Sequence, residues 1–245
     1  MIGGKKKCIG LIFGGNSNEH EVSISSAKTV FQAFNSEINK ERYTVKTFYI
    51  NKYGDWLDSH LSEKILIGGI ENNKTNKQEI FNQKKINFLE GIEFQNVDVW
   101  FPLLHGFNGE DGSIHGLLRF TNKPLVGCGI IGSALGMDKI LMKTIFSNLK
   151  LPQVNYLVFL NEDLNDKRVK NKIINEILKK LDFPVFVKPS NSGSSLGISK
   201  VINESEILQA LEKARKIDPR IIVEEGLEVR AVSYTHLTLP TNRCV

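Results

Sequence analysis

A run of small polar residues between two short apolar segments offers the clearest chemistry in this sequence. It reads KPSNSGSSLG from Lys188 to Gly197. Serine and glycine have little bulk, so the backbone N–H groups of such a loop can close around a phosphate, while Lys188 adds a positive charge at its base. An ordinary hairpin turn explains the same composition equally well. The loop therefore predicts either an anion cradle or a turn, and other segments must decide between them.

A glycine-rich turn near the amino terminus is the second candidate. The apolar run Cys8–Phe13 ends at Gly14–Asn18, and a helical pattern follows from about Glu19 to Phe34. Ligands collect where strands end and helices begin, so the Glu19 carboxylate could hold a substrate ammonium group. An acid in the first turn of a helix is equally typical of a structural role, because it complements the helix dipole.

The third candidate is the loop His105–Ser113, which follows the apolar run Val97–Leu104 and contains three glycines, two acids and a histidine. Loops at the carboxyl ends of strands carry the site residues of open α/β sheets, so we expect a site role for His105. Asp111 and Ser113 are explained without function if they begin a helix that runs to Phe120.

Strands and helices alternate along the chain, which indicates an α/β protein that opens with a doubly wound domain. Asn18 and Glu21 have the spacing of a capping box for the first helix. The segment from Ser59 to Phe94 mixes Asn and Lys with few apolar residues, and we expect surface loops with one or two short elements there. The other predicted strands are Tyr43–Ile50, Leu125–Gly127, Tyr156–Leu160 and Arg220–Glu225, and the other predicted helices are Met137–Leu149, Asp166–Leu181 and Glu204–Ile217.

Composition excludes several classes of protein. Of the 245 residues 41% are hydrophobic and 24% charged, as in a globular protein. Much of the net charge of +5 lies in Lys5–Lys7 and in the segment 72–85 without an interleaved aromatic stripe, so a solvated face is favoured over a nucleic-acid site. The three cysteines and five histidines lack metal-site spacing, and no apolar run approaches the ~18 residues of a membrane span. We expect a cytoplasmic protein that binds neither nucleic acid nor membrane.

Four motifs together resemble one family. They are GGNSNEHEVS from Gly14, LHGFNGEDG from Leu104, MDK from Met137 and VKPSNSGSSLG from Val187. Each is weak alone, but their order and spacing are similar to those of the D-alanine–D-alanine ligases of the ATP-grasp superfamily, from about Lys7 to Arg230. These enzymes use ATP to join two D-alanines through a D-alanyl phosphate for the peptide stem of bacterial cell wall.

The resemblance implies roles for individual residues. Glu19 would contact the ammonium group of the first D-alanine, and His105 would line the same pocket. Ser194 would hold the loop of Glu19 in place, which makes Glu19 and Ser194 the implied catalytic positions. We call the loop Ser192–Gly197 the lid, because it would close over the transferring phosphate. The implied ATP-binding residues are Lys139, Lys188, Ser192, Gly193, Ser194, Ser195, Gly197 and Glu224, the last of these near the adenine.

The resemblance also implies an architecture and partners. A Rossmann-like pre-ATP-grasp domain would span residues 1–127, the central ATP-grasp subdomain 128–221, and the start of the C-terminal subdomain 222–245. The substrates would be D-alanine and ATP with Mg²⁺ or Mn²⁺, and the full-length protein would be a homodimer. Two alternatives stay open: a ligase that joins D-alanine to D-lactate or D-serine, and a nucleotide-binding module without catalysis. A module of that kind would have no need of Glu19 and His105.

The resemblance stops in the last residues of the chain. After Arg230 the segment from Ala231 to Val245 shows no motif of the family and alternates poorly as a strand, so our hypothesis is a truncated frame that ends in foreign sequence. The metal ligands and catalytic arginine of the family would lie beyond it, and no metal residue is named here. We therefore expect the chain alone to be inactive and poorly soluble, with an exposed strand edge at Ile221–Glu225.

Overall fold

The computed structural model describes residues 5–72 and 92–228, which form two compact units. The first unit contains the described residues up to Leu151 together with Ser190–Leu196, and the second contains Pro152–Pro189 and the described residues from Gly197 onward. Most of the lid therefore belongs to the first unit. The predicted family-domain boundaries at 127 and 221 stay predictions.

A parallel sheet forms the centre of the first unit. Strand β1 spans Lys7–Gly14, β2 Tyr43–Ile50 and β3 Val99–Pro102, in the order β2-β1-β3. Strand β1 pairs with β2 from Lys7 opposite Tyr43 to Gly14 opposite Ile50. Both neighbours are parallel to β1, so the loops that follow β1 and β3 leave the same edge of the sheet.

Both faces of this sheet are buried, because successive side chains of a strand point to opposite sides. Leu11 and Phe13 of β1 pack with Ile24 and Ala27 on one face. Ile12 packs with a different group that includes Trp100 on the other face. The helices of this unit are α1 (His20–Phe34), α2 (Glu37–Lys40), α3 (Ser59–Asn72), α4 (Ile92–Gln95), α5 (Ser113–Arg119), α6 (Ile130–Met137) and α7 (Lys139–Asn148).

An antiparallel sheet with helices on one face forms the second unit. Its strands are β4 (Tyr156–Leu160), β5 (Val185–Pro189), β6 (Ser199–Val201) and β7 (Arg220–Glu225), in the order β4-β7-β5-β6. A 3₁₀ turn at Asn161–Leu164 precedes α8 (Lys167–Lys180), and α9 spans Glu204–Ala214. Alternate residues such as Val185, Val187 and Val223 pack with the helices, so Phe186, Lys188 and Glu224 belong to the opposite face.

The α/β class is confirmed, together with the spans predicted for β2, β4 and β7 and the antiparallel pairing of the two strands that bracket the lid. The segment 59–94 was predicted wrongly where the structure describes it. Helix α3 covers Ser59–Asn72, because Leu61, Ile65 and Leu66 pack onto the first core at helical spacing despite the polar residues between them. Residues 73–91 lie outside the described residues.

Three further expectations are corrected. The helix predicted from Met137 to Leu149 begins two residues later, at Lys139, because Asp138 is extended and its carboxylate accepts the first N–H groups of α7. Leu125 forms only an isolated parallel bridge with Trp100, where a short strand was predicted. The strand edge at Ile221–Glu225 is not exposed, because β7 pairs with β4 on one side and β5 on the other.

The tail from Ala231 onward lies outside the described residues. None of the helices that the structure describes is both long and apolar enough to cross a bilayer.

The contact between Gly10 and Trp100 predicts a strong effect of one methyl group. A Cβ at Gly10 would lie 2.5 Å from Trp100 Cε3 and 2.9 Å from Val97 Cγ1. Because the indole is fully buried, Gly10→Ala should lower the free energy of unfolding by about 1–3 kcal/mol, measured by urea denaturation.

Gly116→Ala is the matched control for this prediction. Gly116 lies within α5 and nothing stands within 4 Å of its Cβ position. Alanine should therefore leave stability unchanged or raise it by up to about 1 kcal/mol through helix propensity. Equal losses at the two positions would contradict the packing argument.

Candidate active site

The turn after β1 requires glycine. Gly14 has a φ of +90°, and a Cβ there would lie 2.2 Å from the carbonyl oxygen of Ile50. The N–H of Gly14 donates to Ser23 Oγ at 2.8 Å, and the Ser23 hydroxyl donates to the carbonyl of Leu103 at 2.5 Å. The buried Ser23 therefore ties the turn to the segment that follows β3.

A buried histidine forms a hydrogen bond with the same turn. His20 is 1% exposed, and its Nδ1 lies 2.5 Å from the carbonyl oxygen of Gly15. A carbonyl can only accept, so Nδ1 carries a proton, and Nε2 of a neutral ring then accepts from the Tyr49 hydroxyl at 3.0 Å. The site residues predicted from sequence did not include His20, Ser23 or Tyr49.

The capping box predicted for α1 is wrong. Glu19 is the N-cap residue, and its side chain makes no capping hydrogen bond. Ser17 Oγ accepts from the N–H of Glu19 at 3.2 Å and donates to the carbonyl of His105 at 2.6 Å. Glu21 pairs with Lys52 at 3.0 Å on the surface. The Glu19 carboxylate therefore does not cap the helix that it precedes.

That carboxylate lies between two glycine-containing loops. A Cβ at Gly106, where φ is +70°, would lie 2.7 Å from Glu19 Oε2, and one at Gly193 of the lid would lie 3.7 Å from the same atom. Ser194 of the lid donates its hydroxyl to Glu19 Oε1. The structure thus brings together Glu19 and Ser194, which are 175 positions apart in sequence.

His105 is oriented by two residues that sequence analysis missed. Its Nε2 lies 3.2 Å from Ser26 Oγ on α1, and its Nδ1 lies 3.7 Å from Glu110 Oε1. The other oxygen of Glu110 accepts from the N–H of Gly106 at 2.9 Å, so one carboxylate holds both the imidazole and the loop that carries it. The structural explanation of Asp111 is supported, because its two oxygens accept from the N–H groups of Asn108 and Ser113, each at 2.9 Å.

A cavity of about 200 Å³ lies beside His105 in the first unit. Pockets for drug-sized ligands measure about 300–1,000 Å³, so this cavity suits a smaller molecule. Its wall is mainly apolar and includes Ile50, Trp56, Leu104, Phe107 and Leu117, with the polar residues Asn16, His105, Asn108 and Ser113.

The base of the lid is attached to the start of α7. Asp138 Oδ1 accepts from the Ser190 hydroxyl at 2.7 Å while it caps α7. The N–H of Lys139 donates to the carbonyl of Ser190 at 3.0 Å, and its ammonium donates to the carbonyl of Ser192 at 2.5 Å. Lys139 therefore places a positive charge at the base of the lid. The residues predicted from sequence did not include its partner Ser190, or Asp138, which accepts from Ser190.

The tip of the lid is a tight turn closed by its own groups. The N–H of Leu196 donates to the carbonyl of Gly193 at 3.0 Å, and the Ser192 hydroxyl donates to the carbonyl of Leu196 at 3.0 Å. Ser194 and Ser195 have φ angles of 47° and 59°, a conformation that few residues other than glycine adopt. Two successive left-handed residues, closed by the bond from Leu196 to Gly193, have the pattern of a type I′ β-turn, so the tip matches the hairpin-turn alternative for this loop.

The second unit carries a separate polar pair on the face of its sheet opposite the helices. Lys188 Nζ lies 2.5 Å from Glu224 Oε2 and 5.6 Å from the centre of the Phe186 ring. The side chains of Lys188 and Glu224 are only 22% and 9% exposed. Gly197, also in this unit, has a φ of +76° and packs against Pro189 and Ile217.

The described residues contain no ready-made cluster of metal ligands. Nowhere in residues 5–72 and 92–228 do three or more His, Cys, Asp or Glu side chains gather at metal-binding distances. No metal-dependent step is therefore assigned to these residues.

Of the residues predicted from sequence, Glu19, His105, Lys139 and Ser192–Ser195 lie in the first unit, and Lys188, Gly197 and Glu224 in the second. Their functional roles stay predictions.

Two family models match the sequence. The model described as "D-ala D-ala ligase N-terminus" matches residues 8–128, and "D-ala D-ala ligase C-terminus" matches residues 145–238. The second match runs beyond Arg230, where our reading of the motifs ended, so the resemblance includes the first part of the tail that we interpreted as foreign.

Curated proteins and solved structures agree with these models. D-alanine–D-alanine ligases of Prochlorococcus marinus strains MIT 9301 and AS9601 are 86% and 83% identical over 232 residues, which is 95% of this chain and 65% of each relative. The VanG D-Ala:D-Ser ligase of Enterococcus faecalis matches with a TM-score of 0.71 at 32% identity, over 91% of this chain and 64% of that one. The D-alanine–D-alanine ligase of Coxiella burnetii matches with a TM-score of 0.70 at 26% identity, over 91% and 62%. The chain thus spans about two thirds of the length of these relatives.

The buried hydroxyl of Tyr49 predicts a loss of stability at high pH. Burial, reinforced by the negative charge of Glu21, raises the pKa of Tyr49 from 10.0 to about 12. The folded chain holds this proton more tightly than the unfolded chain does, so the contribution is complete below pH 10 and is lost as the pH rises to about 12. The loss should be about 2–3 kcal/mol.

Urea denaturation of the native chain and of Tyr49→Phe across this pH range checks the prediction. The stability advantage of the native chain over the variant should shrink by that amount, since only the native chain carries the titrating group. Tyr53→Phe is the control, because Tyr53 is 75% exposed. A constant difference between native chain and Tyr49→Phe would overturn the assignment.

The pair Lys188 and Glu224 should be energetically coupled, because each loses its main partner when the other is replaced. A double-mutant cycle with Lys188→Met and Glu224→Gln should give a coupling energy of about 1–3 kcal/mol in chemical denaturation. The exposed pair Lys180 and Glu176, with atoms 2.6 Å apart in the same unit, should give less than about 0.5 kcal/mol. Equal coupling in the two pairs would show that burial does not matter here.

Proposed function

Because this chain belongs to the D-alanine–D-alanine ligase family, we propose that it provides the first D-alanine site and part of the ATP site of an enzyme that joins two D-alanines. The observation that carries the proposal is the hydrogen bond from Ser194 to Glu19. It joins a serine of the lid, which would close over the phosphate, to a carboxylate suited to an ammonium group. A nucleotide-binding module without catalysis has no use for such a pairing.

The proposed reaction has two steps. A carboxylate oxygen of the first D-alanine attacks the γ-phosphorus of ATP, which forms D-alanyl phosphate and releases ADP. The amine of the second D-alanine then attacks the carbonyl carbon, and the C–O bond to phosphate breaks as the amide forms. We propose D-alanine as the second substrate, because the relatives that are more than 80% identical are named for it.

Glu19 and His105 bind the first D-alanine in this proposal. The Glu19 carboxylate is half-buried and accepts from only one hydroxyl in the described contacts, so it has capacity to accept from an ammonium group. Its rigid attachment through Ser17 and the Gly14 turn would hold the bound amino acid in one orientation. Orientation of this kind lowers the barrier of a phosphoryl transfer, which needs little covalent chemistry from the protein.

The lid and the two lysines serve the phosphate in this proposal. Lys139 and Lys188 would offset negative charge on ATP, and Glu224 would orient Lys188 beside the nucleotide. The lid would exclude water, which would otherwise hydrolyse the acylphosphate before the second amine arrived. Mg²⁺ or Mn²⁺, when bound in the family, would neutralise further phosphate charge. The metal, the homodimer and the cytoplasmic location that the resemblance implies are predictions.

The proposal predicts selective stabilisation by D-alanine. A ligand present at 100 times its dissociation constant stabilises a protein by about 2.7 kcal/mol. D-Alanine should therefore raise the melting temperature of this chain, whereas L-alanine should not. Glu19→Gln should abolish the shift because it removes the partner of the ammonium group, and Glu21→Gln should leave it intact because Glu21 pairs with Lys52 at the surface.

A turnover assay completes the same test. Residues 1–228 would replace the corresponding part of the MIT 9301 ligase, which is 86% identical to this chain. The chimera should release ADP only when D-alanine is present, and Glu19→Gln should lower kcat/KM at least about tenfold. ATP turnover that is independent of D-alanine, or equal effects of Glu19→Gln and Glu21→Gln, would contradict the proposal.

A further inference from the structure

A second cavity in the first unit shares no lining residue with the cavity beside His105. Its volume is about 240 Å³, and its wall includes His115 and Arg119 of α5, Lys123, Cys128, and the residues Gly129 and Ile130 at the start of α6. His115 and Arg119 are four positions apart on one helix and therefore lie on the same side of it. The cavity is thus lined by two cations, a histidine and a helix amino terminus.

His115 is the most unusual of these residues. It is 9% exposed, and its Nδ1 is buried without a hydrogen-bond partner among the described residues. A Cβ at Gly127, another wall residue, would lie 3.5 Å from the other ring nitrogen, so the imidazole faces the cavity. Nδ1 is closed off from the cavity, so a ligand in the cavity would meet the ring at Nε2.

The surrounding groups favour a negative ligand. Neither Arg119 nor Lys123 makes an ion pair within residues 5–72 and 92–228, so their charges are available. Gly129, the N-cap residue of α6, provides no side-chain cap, so the first N–H groups of that helix are open to an acceptor. Two acids lie nearby. Asp111 interacts electrostatically with His115, and Asp98 interacts electrostatically with Lys123 and accepts a hydrogen bond from the N–H of Cys8.

We propose that this cavity binds a phosphate group, either inorganic phosphate or a small phosphate monoester, through His115, Arg119, Lys123 and the amino terminus of α6. Arg119 supplies a planar pair of donors that matches phosphate oxygens, and Lys123 supplies a point charge. A protonated His115 donates from Nε2 towards the cavity, so the bound anion favours its charged form. The site is separate from the proposed ATP site, because neither Lys139 nor Lys188 lines it.

The test follows His115 by NMR in the full 245-residue chain. Burial lowers the pKa of His115, and the charge of Asp111 opposes that effect. Saturating inorganic phosphate should raise the pKa of His115 by about one unit, because an opposite charge nearby stabilises the imidazolium. Sodium chloride at the same ionic strength should not. His115→Gln assigns the signal, and glycerol 3-phosphate compared with inorganic phosphate distinguishes a monoester from the free ion.

Charge variants decide whether the binding belongs to this cavity. Arg119→Gln with Lys123→Gln should weaken phosphate binding about tenfold or more, as expected for loss of charge-assisted hydrogen bonds. Lys64→Gln, on the exposed side of α3, should leave it unchanged. The double variant should keep the stabilisation by D-alanine, so failure here is distinguishable from failure of the proposed ligase function.

Two results would overturn the proposal. One is a His115 signal that does not respond to phosphate while the chain is folded by near-ultraviolet circular dichroism. The other is an equal loss of binding in Lys64→Gln and in the double variant, which would indicate general charge screening.

Discussion

The position of the Glu19 carboxylate depends on a buried polar network beneath the turn at Gly14 and Gly15. Ser23 and His20 satisfy the backbone groups of that turn, and neither side chain is exposed to water. An unpaired backbone group at such a depth would cost about 1–3 kcal/mol, so the turn has little freedom to change shape. The fixed turn limits the positions open to Glu19, which lies between the turn and α1. Ser17 joins the same segment to the loop of His105. One buried network thus sets the geometry of both loops of the candidate site.

The sequence predicted the strands whose buried residues form short apolar runs. Strands β2 and β7 were predicted to the residue, because their apolar runs are bounded by polar turns. The predictions were wrong where tertiary contacts outweighed the local sequence pattern. Helix α3 was missed because its apolar residues are sparse, although they pack onto the first core of the parallel sheet. The edge of β7 was predicted to be exposed, because a sequence does not show that a strand enters the middle of a sheet.

The loops of the candidate site were predicted from sequence, but the residues that hold those loops in place were not. Glycine, serine and lysine content pointed to the lid, and the order of the motifs, through the family resemblance, pointed to a contact of Ser194 with the loop of Glu19. Ser26 and Glu110, which hold His105, were missed, because a serine on a helix and an acid in a turn have many ordinary explanations. Their importance comes from proximity in space, since Ser26 and His105 are 79 positions apart.

Helix α5 links the two cavities of the first unit. Ile114 and Leu117 line the cavity beside His105, while His115 and Arg119 line the basic one. The helix begins directly after Gly112, whose φ of +90° and whose close approach to the carbonyl of Ile130 exclude a larger residue. Asp111 fixes that start by accepting from the N–H groups of Asn108 and Ser113. The loop that orients His105 therefore also fixes His115, so a ligand that displaced α5 in one cavity would change the wall of the other.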